Sequence, residues 1–71
     1  MATDKIDLAI AEYRKAIELY PDYILAHYNL AQAVMKKGDK KTAIKHFKEV
    51  LRIAPDSDMA HLSQEFLDLL K

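Results

Sequence analysis

The sequence predicts an all-α fold: four helices in antiparallel hairpins, stacked as a short α-solenoid. Three observations carry this. Only one glycine and two prolines occur in 71 residues, so long uninterrupted elements are expected. These breakers fall at three places, Pro21-Asp22, Gly38-Asp39 and Pro55-Asp56. Each pairs a residue that stops a helix with an acid able to cap the next one. The chain also repeats itself at an offset of 34 residues, which aligns Pro21 with Pro55, Ala9 with Ala43, Ile10 with Ile44, Ala26 with Ala60 and His27 with His61. That period on a helix–turn–helix unit is the signature of stacked repeats. A simple up–down four-helix bundle is the alternative, but it gives no reason for the offset.

The first segment, residues 4–20, places Ile6, Ala9, Ile10, Tyr13, Ala16, Ile17 and Tyr20 on one helical stripe; the spacing i, i+3, i+4, i+7 defines such a stripe. The second, 23–37, carries two stripes. His27, Leu30, Ala31 and Val34 suit a hairpin partner, and Leu25, Tyr28, Gln32 and Met35 form a second apolar face. The third, 40–54, returns to a single stripe of Ala43, Ile44, Phe47, Val50, Leu51 and Ala54. The fourth, 57–70, repeats the second face as Met59, Leu62, Phe66 and Leu69, while Glu65 and Asp68 stand where the second helix has Ala31 and Val34. Carboxylates in slots meant for a following helix predict a solvated C-terminal cap. Ala60, Leu67 and Leu70 are left to pack backward. Short connections force neighbouring helices antiparallel. Ala9, Ala31 and Ala43 are small where helices approach closely, and Tyr13, Phe47, Leu30 and Val34 fill the space beside them.

In this order and spacing, the run from Ile24 to Pro55 resembles the tetratricopeptide repeat. It carries Tyr28-Asn29-Leu30-Ala31, Val34, Gly38-Asp39, Ala43-Ile44, Phe47, Val50 and Pro55. His27 stands where that family often has Trp, and Ala31 replaces a small Gly. Residues 1–71 are then one repeat-type domain. Residues 4–20 are the second helix of a preceding repeat, 23–54 one full repeat, and 57–70 the capping helix. The resemblance implies a protein–protein interaction module whose first-of-pair helices line a concave, peptide-binding groove. The groove residues are Leu25, Tyr28, Asn29, Gln32, Met35, Met59, Leu62 and Phe66, with Tyr28 and Phe66 as anchors. The carboxylate clamp of some family members is not carried over. Asn29 matches its Asn slot, but Met59 and Ser63 occupy the places of its basic residues.

The first helix lacks its own hairpin partner. Ile6, Leu8, Ala9, Tyr13 and Ile17 are therefore expected to self-associate, as a homo-oligomer or swapped dimer, unless upstream repeats cover them. A purely structural oligomerisation segment, of a longer or engineered array, is the alternative function. Single cores of this size are marginal, and with no cysteine there is no disulfide to reinforce this one.

Chemistry is sparse. His27, His46 and His61 lack the i, i+4 spacing of helix-face metal sites and read as packing residues. The hydroxyls Thr3, Thr42, Ser57 and Ser63 are expected near helix ends or on surfaces, with Ser57 a cap. No nucleophile, phosphate loop or carboxylate pair in an apolar pocket is present, so neither an enzyme nor a cofactor is expected. Charge balances at 11 basic and 11 acidic residues, which speaks against nucleic acid as a partner. Lys36, Lys37, Lys40, Lys41, Lys45, Lys48 and Arg52 nevertheless crowd residues 36–52. That basic hairpin supports only a weaker RNA-binding alternative, since no aromatics are interleaved for stacking. No membrane span or signal-peptide core is seen, and a cytoplasmic location is the expectation.

Overall fold

The computed structural model describes the backbone of residues 2–70 and the side chains of residues 5–70. Thr3 lies outside the described side chains. Four helices follow in order: α1 Ala2–Leu19, α2 Ile24–Lys36, α3 Lys40–Ile53 and α4 Asp58–Leu70. Each helix packs on the next, and α2 also meets α4, whereas α1 makes no comparable contact with α3 or α4. In an up–down bundle the first and last helices would meet. Packing chiefly between consecutive helices, with the first and last apart among the described residues, is the stacked-hairpin arrangement.

The turns explain themselves residue by residue. Gly38 takes φ +88°, the left-handed conformation that costs glycine nothing. Its N–H donates to Met35 O at 3.0 Å and the Asp39 N–H to Val34 O at 2.9 Å, the paired bonds of a Schellman stop. Asp39 then caps α3 by accepting from the Thr42 N–H at 3.1 Å, and the Thr42 side chain, followed by this N–H, holds its carboxyl below the usual range. Ser57 caps α4 by accepting from the Ala60 N–H at 3.1 Å. Asp22 does not cap α2 as expected. Tyr23 holds the N-cap position without a side-chain bond, because the Asp22 carboxylate accepts from the Arg52 guanidinium at 3.2 Å instead. A second exposed tie joins Lys37 to Asp7.

The core is assembled from the expected stripes. Leu30, Ala31 and Val34 of α2, Ala43 and Phe47 of α3, and Leu67 of α4 are buried together, with Ile10, Tyr13 and Ile17 of α1 packed against them. Ala31 and Ala43 are wholly buried, as close helix approach requires. Three expectations fail here. Tyr20 is 66% exposed, since α1 ends one residue earlier and the stripe ends with it. Ser63 is wholly buried rather than on the surface, because the fourth-helix stripe turns it toward the interior. His61 is exposed although its repeat equivalent His27 is buried; α3 covers His27, and no described helix covers His61.

His27 is satisfied at both nitrogens. Its Nε2 lies 2.7 Å from Pro21 O. A carbonyl only accepts, so Nε2 carries the hydrogen. The His27 Nδ1 lies 2.9 Å from His46 Nδ1, so one ring donates to the other. Burial, and then the neighbouring His27, push the His46 ring down to about 4. The unfolded chain therefore takes up this proton first as pH falls. The contribution is complete above about pH 6.5, is lost as pH drops toward 4, and levels off below it. Acid unfolding through this window should cost about 1–2 kcal/mol after solvent screening, read as a falling thermal midpoint; a H46Q variant should flatten the slope. The buried Ser63 hydroxyl has no hydrogen-bond partner among the described residues. Ser63→Ala should therefore stabilise the chain by about 1 kcal/mol in a urea titration.

Candidate functional site

The expected groove residues of α2, Leu25, Tyr28, Asn29, Gln32 and Met35, meet different neighbours. Tyr28 joins an aromatic cluster. Its ring meets Phe47 edge-on at 6.1 Å and Phe66 at 6.3 Å, and Phe47 and Phe66 stack at 4.9 Å with 9° between planes. Phe47 is fully buried, while Tyr28, Met35 and Phe66 are half-buried and packed against the core. The two expected anchors are thus braces of the fold, with only their outer edges available.

The accessible apolar surface lies beside this cluster. Leu25 is 42% and Leu62 is 44% exposed. Leu25 and Met59 share a shallow depression with Tyr23, Ile24, Ser57 and Asp58, where the N-terminal ends of α2 and α4 come together. Tyr23 continues into a second depression with Leu19, Tyr20, Pro21 and Asp22. Tyr23, the N-cap residue of α2, belongs to no periodic stripe of the sequence. The only signal for it was an aromatic residue beside Pro21-Asp22.

Asn29 and Gln32 face the other way. They line a depression on the α1–α2 seam with Lys5, Ile6, Ala9, Tyr13, Ala33 and Lys36. Three residues expected to self-associate, Ile6, Ala9 and Tyr13, therefore share a wall with two expected to bind peptide. Tyr13 and Ile17 pack against the core, and of the expected self-association set Leu8 stands most clearly free, at 67% exposure. Glu65 and Asp68 are exposed, as a solvated face requires. Among the described residues no group of three or more His, Cys, Asp or Glu side chains is placed to hold a metal ion. Their helices are also too short or too polar to cross a membrane.

The repeat seen in the sequence and the stacked hairpins have a counterpart among known proteins. A family profile described as TPR repeat matches residues 1–38, and another, tetratricopeptide repeat, matches residues 24–57. The chain belongs to the tetratricopeptide repeat family. As a class these repeats are protein–protein interaction modules. The chain is 36% identical over 64 residues to the tetratricopeptide repeat domain-containing protein PYG7, chloroplastic, of Arabidopsis thaliana, covering 90% of this chain and 21% of the relative. It is 41% identical over 59 residues to the uncharacterized protein ycf37 of Cyanophora paradoxa, covering 83% of this chain and 34% of that protein. The chain therefore spans about a fifth to a third of these relatives. No solved structure matches it. The cytoplasmic expectation does not stand, because the Arabidopsis relative is a chloroplastic protein. Cysteine content and a missing span carry no address, and a repeat unit folds by the same contacts in any aqueous compartment.

Because Phe66 stacks on the buried Phe47, Phe66→Ala should destabilise the fold by about 2 kcal/mol, below the ~3–5 of a fully buried Phe. Chemical denaturation measures it directly.

Proposed function

We propose that this tetratricopeptide repeat chain is a non-catalytic interaction module that docks a peptide or helix on the α2–α4 face. The observation that carries this reading is the pair of half-exposed leucines, Leu25 and Leu62, on facing helices beside Met59 and a rigid aromatic cluster. Exposed aliphatics on a preorganised platform offer burial at about 25 cal/mol per Å² with little side-chain ordering, against large association costs. Tyr28 and Phe66 contribute their outer edges, and Asn29 and Gln32, on the α1–α2 seam with Lys36, lie outside this face. Residues 4–20 act as the second helix of a preceding repeat, 23–54 as one full repeat, and 57–70 as a cap with its carboxylates turned to solvent. The match of residues 24–57 to a single repeat supports this division.

A second reading, self-association through α1, is favoured by Leu8 and Leu19, which stand 67% and 65% exposed. The basic run of residues 36–52 takes third place. Arg52 and Lys37 there are engaged by Asp22, Glu49 and Asp7, and its aromatic Phe47 is buried in the core, so it makes a poor single-strand binder.

Leu25→Ala combined with Leu62→Ala removes apolar surface without opening the core. The double variant should keep its helical circular dichroism and weaken binding of a peptide selected on the parent chain at least about tenfold. Unchanged affinity by calorimetry would reject the α2–α4 face.

A further inference from the structure

On α1, Ile10, Tyr13 and Ile17 turn toward the core. The opposite side carries Leu8, Glu12, Lys15 and Leu19, all exposed, at i, i+4, i+7 and i+11. This spacing keeps them on one stripe about 16 Å long. The stripe reads the same in both directions: leucine, charge, opposite charge, leucine. Ala11 and Ala16 flank it on either side, equally far from its centre. Glu12 and Lys15 form no ion pair among the described residues.

We propose that this stripe pairs with the same stripe of a second copy, the two α1 helices running antiparallel about a two-fold axis that crosses between Tyr13 and Arg14. In that register Leu8 meets the partner's Leu19, and Glu12 meets the partner's Lys15. Ala11 and Ala16 lie on opposite flanks of this seam, each on the same flank as its own counterpart in the partner. The Leu8–Leu19 and Glu12–Lys15 contacts each occur twice, as an isologous interface demands. The alanines let the axes approach to about 8–10 Å, so the leucines can cover each other. The charges choose the register, since a parallel pairing or a slipped one sets leucine against charge or like against like. A partner of unrelated sequence gives no reason for a stripe that complements itself, which is why a second copy is the occupant. This inference rests on the self-association reading and names its surface and geometry.

Sedimentation equilibrium on the intact chain tests it. The parent chain should dimerise in the range of tens to hundreds of micromolar. E12K and K15E should each weaken dimerisation at least about tenfold, because each sets like charges opposite one another twice. The double variant E12K/K15E should restore it, because the pairs are then merely inverted. All these positions are exposed, and unchanged helicity checks that the fold survives. A second measurement exploits the absence of cysteine. A mixture of L8C and L19C chains should form a disulfide-linked pair under mild oxidation, faster than either variant alone. A parent chain that stays monomeric overturns both this inference and the self-association reading. A dimer that the single charge reversals leave intact, or that the double reversal fails to restore, overturns the α1 interface and leaves self-association standing. So does faster cross-linking of L8C with itself.

Discussion

Phe47 is the side chain on which the rest of the molecule depends. It comes from α3, stacks on Phe66 of α4, and meets Tyr28 of α2 edge-on. One ring therefore sets the spacing of three helices. Ala31 and Ala43 beside it are small and wholly buried, and their methyl groups leave room for the ring next to Leu30 and Val34. Offset and edge-on contacts of this kind add about 0.5–1.5 kcal/mol each to area burial. In a chain of 71 residues that is a large fraction of what a lone core supplies.

The helix count, the breakpoints and the core stripes were all legible in the sequence, because each is a local or periodic property. Gly38 announced a left-handed residue, and Ala43, Phe47 and Val50 announced a buried face at helical spacing. What was not legible depended on competition between partners. Asp22 looks like a cap by position, but Arg52 lies 30 residues away and takes its carboxylate. His61 looks like His27 by repeat position, yet burial belongs to the neighbour that covers a residue and not to the residue itself. Ser63 shows the same limit from the other side, a polar residue carried inward by a stripe whose other members are apolar.

The candidate groove was legible as a stripe but not as a surface. Tyr28 and Phe66 have the size of binding anchors, and a sequence cannot tell an aromatic ring that waits for a ligand from one already stacked on its neighbour. The structure spends both on the core and leaves the smaller Leu25 and Leu62 in solvent. The exposed large apolar residues then fall into two groups. Leu8, Leu19 and Tyr20 belong to α1 and its end, whereas Tyr23, Leu25, Leu62 and Leu69 belong to the α2–α4 side. The two groups meet at the α1–α2 turn, where Leu19, Tyr20 and Tyr23 line one depression.

The packing of each helix chiefly on its chain neighbours has a kinetic consequence. Most contacts that stabilise the fold join consecutive helices and so close short loops. Low contact order of this kind goes with fast folding. The α2–α3 hairpin, already joined by the Gly38 turn and the Phe47 contacts, is the piece able to form first. The outer helices α1 and α4 then add to a preformed template, one at each end. Amide exchange would therefore be slowest at the centre of the chain and rise toward both termini, a gradient set by topology rather than by local helix propensity.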